Sequence, residues 1–130
     1  MLRAFFISLF LIFFLKLSAQ EDLLARNYMQ QGAYEKAAIL YEGLVEKTPG
    51  NTSLVNSLVE AYQQLEQYDK AQEVLLKTLA LSKSLSFLKV DLGYNYQLQG
   101  QDTEAQQLYT EILDQVRENP PLANMVGRSF

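Results

Sequence analysis

Tyr28, Tyr62 and Tyr96 stand 34 residues apart, and one further step of 34 falls on Phe130. Leu24, Leu58, Leu92 and Val126 keep the same period, as do Ala25, Val59, Gly93 and Gly127. Three more columns lie downstream in each unit. They are Ala37, Ala71 and Ala105; Tyr41, Leu75 and Tyr109; and Val45, Leu79 and Leu113. One such coincidence is cheap, but several columns sharing one period are the mark of an internal repeat. The period constrains this chain more than any local propensity does. A unit of this size cannot bury its apolar face alone, so successive units must stack.

Each unit carries two helical stripes. Leu24, Ala25 and Tyr28 form the first, and Ala37, Tyr41, Leu44 and Val45 the second, at the spacing of one helix face. Gln31-Gly32-Ala33 separates them, and Gly32 can take the left-handed conformation that ends a helix cheaply. Thr48-Pro49-Gly50-Asn51 ends the second helix, because proline cannot continue it. Asn51 or Thr52 is placed to cap the next helix. The small Ala37 lets the paired helices approach closely while the Tyr28 and Tyr41 rings fill the space beside it. No long alternation of period two is present, so a β fold is excluded.

With its 34-residue period, Leu-Gly pair, tyrosines, alanine and proline, the chain resembles the tetratricopeptide-repeat (TPR) family. The resemblance rests on Leu92-Gly93, Tyr96, Gly100, Ala105 and Tyr109 in one unit. In another it rests on Leu24-Ala25, Tyr28, Gly32, Tyr34, Ala37, Tyr41 and Pro49. It implies an all-α solenoid of helix-turn-helix repeats over residues 18–51, 52–85 and 86–119, with the start of a fourth at 120–130. The middle unit departs most. Glu66 stands where glycine is usual, Leu75 replaces the aromatic, Thr78 a small apolar residue and Lys83 the proline. In the third unit Asp102 replaces the tyrosine at the start of the second helix, where an N-cap role is expected. Asn119 is expected to cap a fourth-unit helix with Pro120 in its first turn.

Residues 1–19 stand apart. Arg3 follows the amino terminus, Ala4–Leu15 is an apolar run broken only by Ser8, and Ser18-Ala19 suits a cleavage site. This three-part layout is that of a signal peptide, with the mature chain, 20–130, starting at Gln20. Retention as an anchor is the alternative, although the run is shorter than the ~20 apolar residues of a comfortable span. The layout points to an exported protein, periplasmic or secreted, of bacterial type. Of 11 basic residues Arg3 and Lys16 are lost on cleavage, leaving nine against fifteen acidic ones, a net charge of −6. No stable membrane span is expected after cleavage.

The composition excludes whole classes of chemistry. With neither cysteine nor histidine in the 130 residues, there is no thiolate nucleophile, no imidazole shuttle and no metal site built on either. Net charge −4 lacks the basic footprint that nucleic acid requires. Glu35, Glu42, Glu46, Glu73 and Glu111 read as solvated helix faces. Ser82-Lys83-Ser84 reads as a polar turn, and Asn51-Thr52-Ser53 as a cap rather than a glycosylation site. The expectation is therefore no enzyme, no cofactor, no metal and no nucleic acid.

Function is expected in the positions that the repeat pattern leaves free. The resemblance implies that the first helix of each unit lines a concave groove that takes a protein or peptide ligand. Those helices offer Asp22, Arg26, Met29 and Gln30; then Asn56, Glu60, Gln63 and Gln64; then Val90, Tyr94, Gln97 and Leu98. The expected binding set is Arg26, Gln30, Glu60, Gln64, Tyr94 and Gln97, with Tyr94 as anchor. Family members that bind chaperone tails grip a terminal carboxylate with Lys, Asn and Arg. The matching positions here are Asp22, Arg26, Ser57, Phe87 and Asp91, a set that repels a carboxylate. The chain thus reads as an exported scaffold for protein–protein interaction. The alternatives are a sensor or regulatory segment of a longer signalling protein or enzyme, and a cell-envelope assembly factor. Leu122, Met125 and Val126 near the C-terminus are expected to form an apolar edge available for association, with Phe130 not the natural end of the folded unit.

Overall fold

Seven α-helices follow one another in the computed structural model, which describes residues 1–129, and the side chains of all of these but 13–17 and 129. They are α1 (Leu2–Gln30), α2 (Tyr34–Lys47), α3 (Thr52–Gln64), α4 (Tyr68–Leu79), α5 (Lys89–Leu98), α6 (Asp102–Glu118) and α7 (Leu122–Ser129). A 3₁₀ turn over Lys83–Leu88 leads into α5. No β-strand occurs among the described residues. Each helix packs on the next, so the chain is the expected helical solenoid of stacked pairs: α1 with α2, α3 with α4, α5 with α6. The Phe130 position of the tyrosine column lies outside the described residues.

The turn inside each unit is the same device three times. The amides of Gly32, Glu66 and Gly100 donate to the carbonyls of Met29, Gln63 and Gln97, at 3.1, 3.0 and 2.9 Å. The next amides, of Ala33, Gln67 and Gln101, reach back to Tyr28, Tyr62 and Tyr96 at 2.9, 2.8 and 2.9 Å. This closure requires a left-handed residue, with φ of +73° at Gly32 and Gly100. Glu66 adopts it too, at φ +56°, so the middle unit keeps the geometry without the glycine. Between units, Gly50 has φ +85° and Asn51 caps α3, its side chain accepting from the Leu54 amide at 3.4 Å. Of the two expected caps the structure uses Asn51.

Two expected caps are corrected. Asp102 is the first residue of α6, and the N-cap is Gln101, which makes no side-chain cap bond. Asn119 instead closes α6, its amide donating to the Gln115 carbonyl. Pro120-Pro121 form a turn, and α7 starts two residues later than expected, at Leu122. Two adjacent prolines, each with φ fixed and no N–H, favour that turn over a first helical turn.

α1 runs unbroken through Ala19-Gln20, with its leading apolar side chains from Leu2 to Ile12 exposed. Among the described residues no helix is long and apolar enough to cross a membrane. Among the residues whose side chains are described, Ala25 is the first buried position. One cluster then joins the first two units to Leu88 and Leu92, and a second joins Val90 and Ile112 to Leu122 and Val126 of α7. The repeat columns are not equally buried. Leu58, Leu92 and Val126 are 2–5% exposed, whereas Leu24, which shares their column, is 43% exposed.

Candidate functional site: the exposed face of the first helices

Residues four apart lie on one helix face, and all six expected binding residues are exposed: Arg26 and Gln30 on α1, Glu60 and Gln64 on α3, Tyr94 and Gln97 on α5. Asp22, Asn56 and Leu98 also reach this surface in whole or part, but Val90 does not. Val90 is 3% exposed and packs in the cluster with Ile112, Leu122 and Val126, because α7 stacks against that side of α5. Met29 and Gln63 are half-buried, and Met29 belongs to the core margin.

The structure gathers these residues into two groups. In the first, Arg26 lies along α1 against Asp22. Its Nε donates to Oδ1 at 3.2 Å, and a second guanidinium nitrogen stands 3.0 Å from Oδ2. The planar fork is thus used by a neighbour one turn away, which leaves the site without a free cation to greet a carboxylate. Tyr41 rises from α2 between α1 and α3, 1% exposed, with its hydroxyl beside Ser57, Asp22, Arg26 and Glu60. Burial raises the pKa of that hydroxyl. Ser57 and Arg26 oppose the shift, and Asp22 and Glu60 add to it. Arg26 and Glu60 are therefore brought together around a tyrosine that the repeat pattern assigns to packing alone.

The second group surrounds Tyr109 of α6. A Cβ built on Gly93 would come within 2.5 Å of the Tyr109 ring, so the ring packs against α5 where only hydrogen is tolerated. The Tyr109 hydroxyl donates to Gln97 Oε1 at 2.9 Å. Tyr94 stands 52% exposed nearby. Burial raises the Tyr109 pKa, with Asp91 and Tyr94 contributing. Asp91 itself is pushed up to about 6 by burial, opposed by its own backbone hydrogen bond. Its Oδ2 is buried without a hydrogen-bond partner. Gln30 and Gln64, at the ends of α1 and α3, join neither group.

Asn95, one step from Tyr94, is fully buried. Its amide nitrogen donates to the Tyr68 carbonyl at 3.0 Å, and its oxygen accepts from Gln63 Nε2 at 3.2 Å. It locks α5 to both helices of the preceding unit. The period marks it poorly: its counterpart Asn27 is also an asparagine but is exposed, and Ala61 stands between them.

A cleft of about 460 Å³ lies elsewhere, between α2, α3 and α4, and none of the six expected residues lines it. At 3.6 residues per turn, Glu60 sits about 200° around α3 from Leu58, which lines the cleft. The two surfaces face opposite ways.

Residues 23–83 match the tetratricopeptide-repeat family. These residues are tetratricopeptide repeats. A curated relative, the BBSome complex member BBS4 of Bos taurus, is 32% identical over 108 residues. That match takes in 83% of this chain but only 21% of the relative, so the chain spans about a fifth of its length. Several solved TPR folds are similar. The type III secretion translocator chaperone SycD of Yersinia enterocolitica has a TM-score of 0.69 at 19% identity, over 86% of this chain and 84% of that one. The N-terminal domain of stress-induced protein-1 from C. elegans has 0.65 at 19%, over 88% and 94%. The first TPR of Spaghetti (RPAP3), solved with the HSP90 peptide SRMEEVD, has 0.62 at 20%, over 86% and 89%. At these identities the likeness is one of fold.

Proposed function

We propose that this chain is an exported, non-catalytic TPR scaffold that holds a protein or peptide segment along the exposed face of α1, α3 and α5. The observation that carries the reading is the Tyr94 face. A half-exposed aromatic ring is held in place by neighbours that are themselves fixed: Tyr109 against Gly93, Gln97 on the Tyr109 hydroxyl, and Asn95 anchored in the core. A rigid exposed aromatic binds with little ordering cost and is the usual kind of interface anchor. Glu60 supplies a second polar contact in the Arg26 group, and Gln30 and Gln64 line the far ends. The pairing of Arg26 with Asp22, and the acid at Asp91, argue for a ligand that does not end in a carboxylate at this face. A polar or basic internal segment fits the acidic surface better.

Export is proposed on the Arg3, Ala4–Leu15 and Ser18-Ala19 pattern, with residues 1–19 removed and the mature protein periplasmic or secreted. Of the apolar edge expected at Leu122, Met125 and Val126, Leu122 and Val126 are buried against Val90 and Ile112; exposed Met125, with Leu113, is proposed as a second surface for association.

The test of the groove is Tyr94→Ala against a partner recovered by pull-down. Affinity is expected to fall by about 1–2 kcal/mol with helicity unchanged by circular dichroism. Full affinity in the folded variant would remove Tyr94 from the site. The test of export is the mass of the protein isolated from its host, where a chain beginning at Gln20 is expected. An intact Met1 form in the soluble cytoplasm would refute it.

A further inference from the structure

The cleft between α2, α3 and α4 lies on the face opposite Arg26, Glu60 and Tyr94, between the first unit and the one that departs most from the repeat pattern. Its wall includes Thr78, one of those departures, whose hydroxyl is turned back onto the Val74 carbonyl at 2.8 Å and so adds no polar demand. Val45, Leu58, Val74 and Leu81 make the lining chiefly apolar. An engineered cavity of about 150 Å³ holds a benzene ring. The 460 Å³ here therefore admits more than one apolar side chain. Leu58 and Tyr62 in the lining are core residues, 2% and 5% exposed, so the floor is rigid.

The rim is charged, and most of its charges are already engaged. Lys77 pairs with Glu73 at 2.6 Å. Lys70 lies over the Tyr62 ring, 5.4 Å from its centre. Glu42 accepts a hydrogen bond from the Tyr62 hydroxyl, whose pKa is raised by burial and by that neighbour. Glu46 is the remaining acid, and its nearby cation, Lys77, is shared with Glu73. The rim thus carries three acids against two bases, on a chain already net negative. An occupant with apolar side chains alone would leave Glu46 uncompensated, and an acidic one would be repelled.

We infer that this cleft is a second docking site, for a segment of a partner protein that presents two apolar side chains beside a lysine or arginine. The apolar pair fills the space over Leu58 and Val74, and the cation meets Glu46 and Glu42. This site is independent of the groove, and a chain with both could hold two partners on opposite faces.

The test uses the purified protein and three amidated helical peptides: leucines at i and i+4 among lysines, the same leucines among glutamates, and alanines among lysines. Methyl and amide NMR shifts report the location. The leucine–lysine peptide is expected to shift Val45, Val74 and Leu81 saturably, and to bind about tenfold more tightly than either other peptide. Glu46→Lys, at an exposed position, should weaken it about fivefold, and Val74→Trp should block it by filling the cleft. Tyr94→Ala should leave it unchanged, which separates this site from the groove. The inference is overturned by no binding, by shifts confined to the Arg26–Glu60–Tyr94 face, by equal binding of either other peptide, or by an unchanged affinity in Glu46→Lys. The last measurement stands even if Val74→Trp fails to fold.

Discussion

Replacing Glu66 with glycine should make this protein more stable, although it removes a side chain and adds no contact. Glu66 is the only non-glycine residue with positive φ among the described residues, at +56°. The amide bonds of its turn match those at Gly32 and Gly100 to within 0.1 Å, so stacking imposes the left-handed turn whatever residue occupies it. An L-residue there suffers about 1–2 kcal/mol of crowding between Cβ and backbone. Glycine removes that strain but gives the unfolded chain more freedom, which returns about 0.5–1 kcal/mol. The net gain is about 0.5–1 kcal/mol, or a rise of roughly 3–5 °C in Tm for a domain of this size. The converse holds at Gly32 and Gly100. A Cβ at either meets no atom within 4 Å, so Gly32→Ala or Gly100→Ala should lose about 1 kcal/mol through backbone strain alone. Urea denaturation followed by circular dichroism is the assay, read as a shift in midpoint at constant slope. Glu66→Ala is the control, since it deletes the carboxylate but keeps the Cβ. If Glu66→Ala stabilises as much as Glu66→Gly, the side chain and not the backbone is the cause, and the reasoning fails.

Three further outcomes follow from the face around α5. The folded-state pKa of Asp91 is raised to about 6, so its folded form prefers the proton and stability falls as pH rises from about 4 through 6. Asp91→Asn should therefore change little at pH 4 and stabilise at pH 8 by roughly 1–2 kcal/mol, allowing for its partial exposure; a variant with the same pH profile as the parent would contradict this. Gly93→Ala should lose about 1–3 kcal/mol as its methyl displaces the Tyr109 ring, and the change in the Tyr109 ring resonances reports it directly. Asn95→Leu leaves the Tyr68 carbonyl and Gln63 amide without their partner, and should cost about 1–3 kcal/mol in denaturation.

Much of this molecule is fixed by sequence alone, because the repeat is a local code. The 34-residue period, the Gly32 and Gly100 turns, the Pro49-Gly50 break and the Asn51 cap each act within a few residues, and each is where the sequence puts it. Exposure of the six expected binding residues follows as well, since helix spacing decides which side faces away from the stack. What spacing does not carry is what lies across the gap. Leu24 and Leu58 hold the same place in the period, yet Leu58 packs against the preceding unit and is core, whereas Leu24 is exposed. Val90 shares its helix side with Tyr94, yet α7 covers the first and not the second. Tyr41 and Tyr109 read as packing residues, yet the buried Tyr41 hydroxyl lies beside Ser57, Asp22, Arg26 and Glu60, and the Tyr109 hydroxyl donates to Gln97. The cleft over Leu58 leaves no trace in the period, and the period does not tell buried Asn95 from its exposed counterpart Asn27, because both depend on distances between helices that are far apart in the chain. The sequence determines the units and their order through hydrogen bonds and turns within each unit. Only the stacking of one unit on the next decides which equivalent side chains are buried, paired or left facing a cleft.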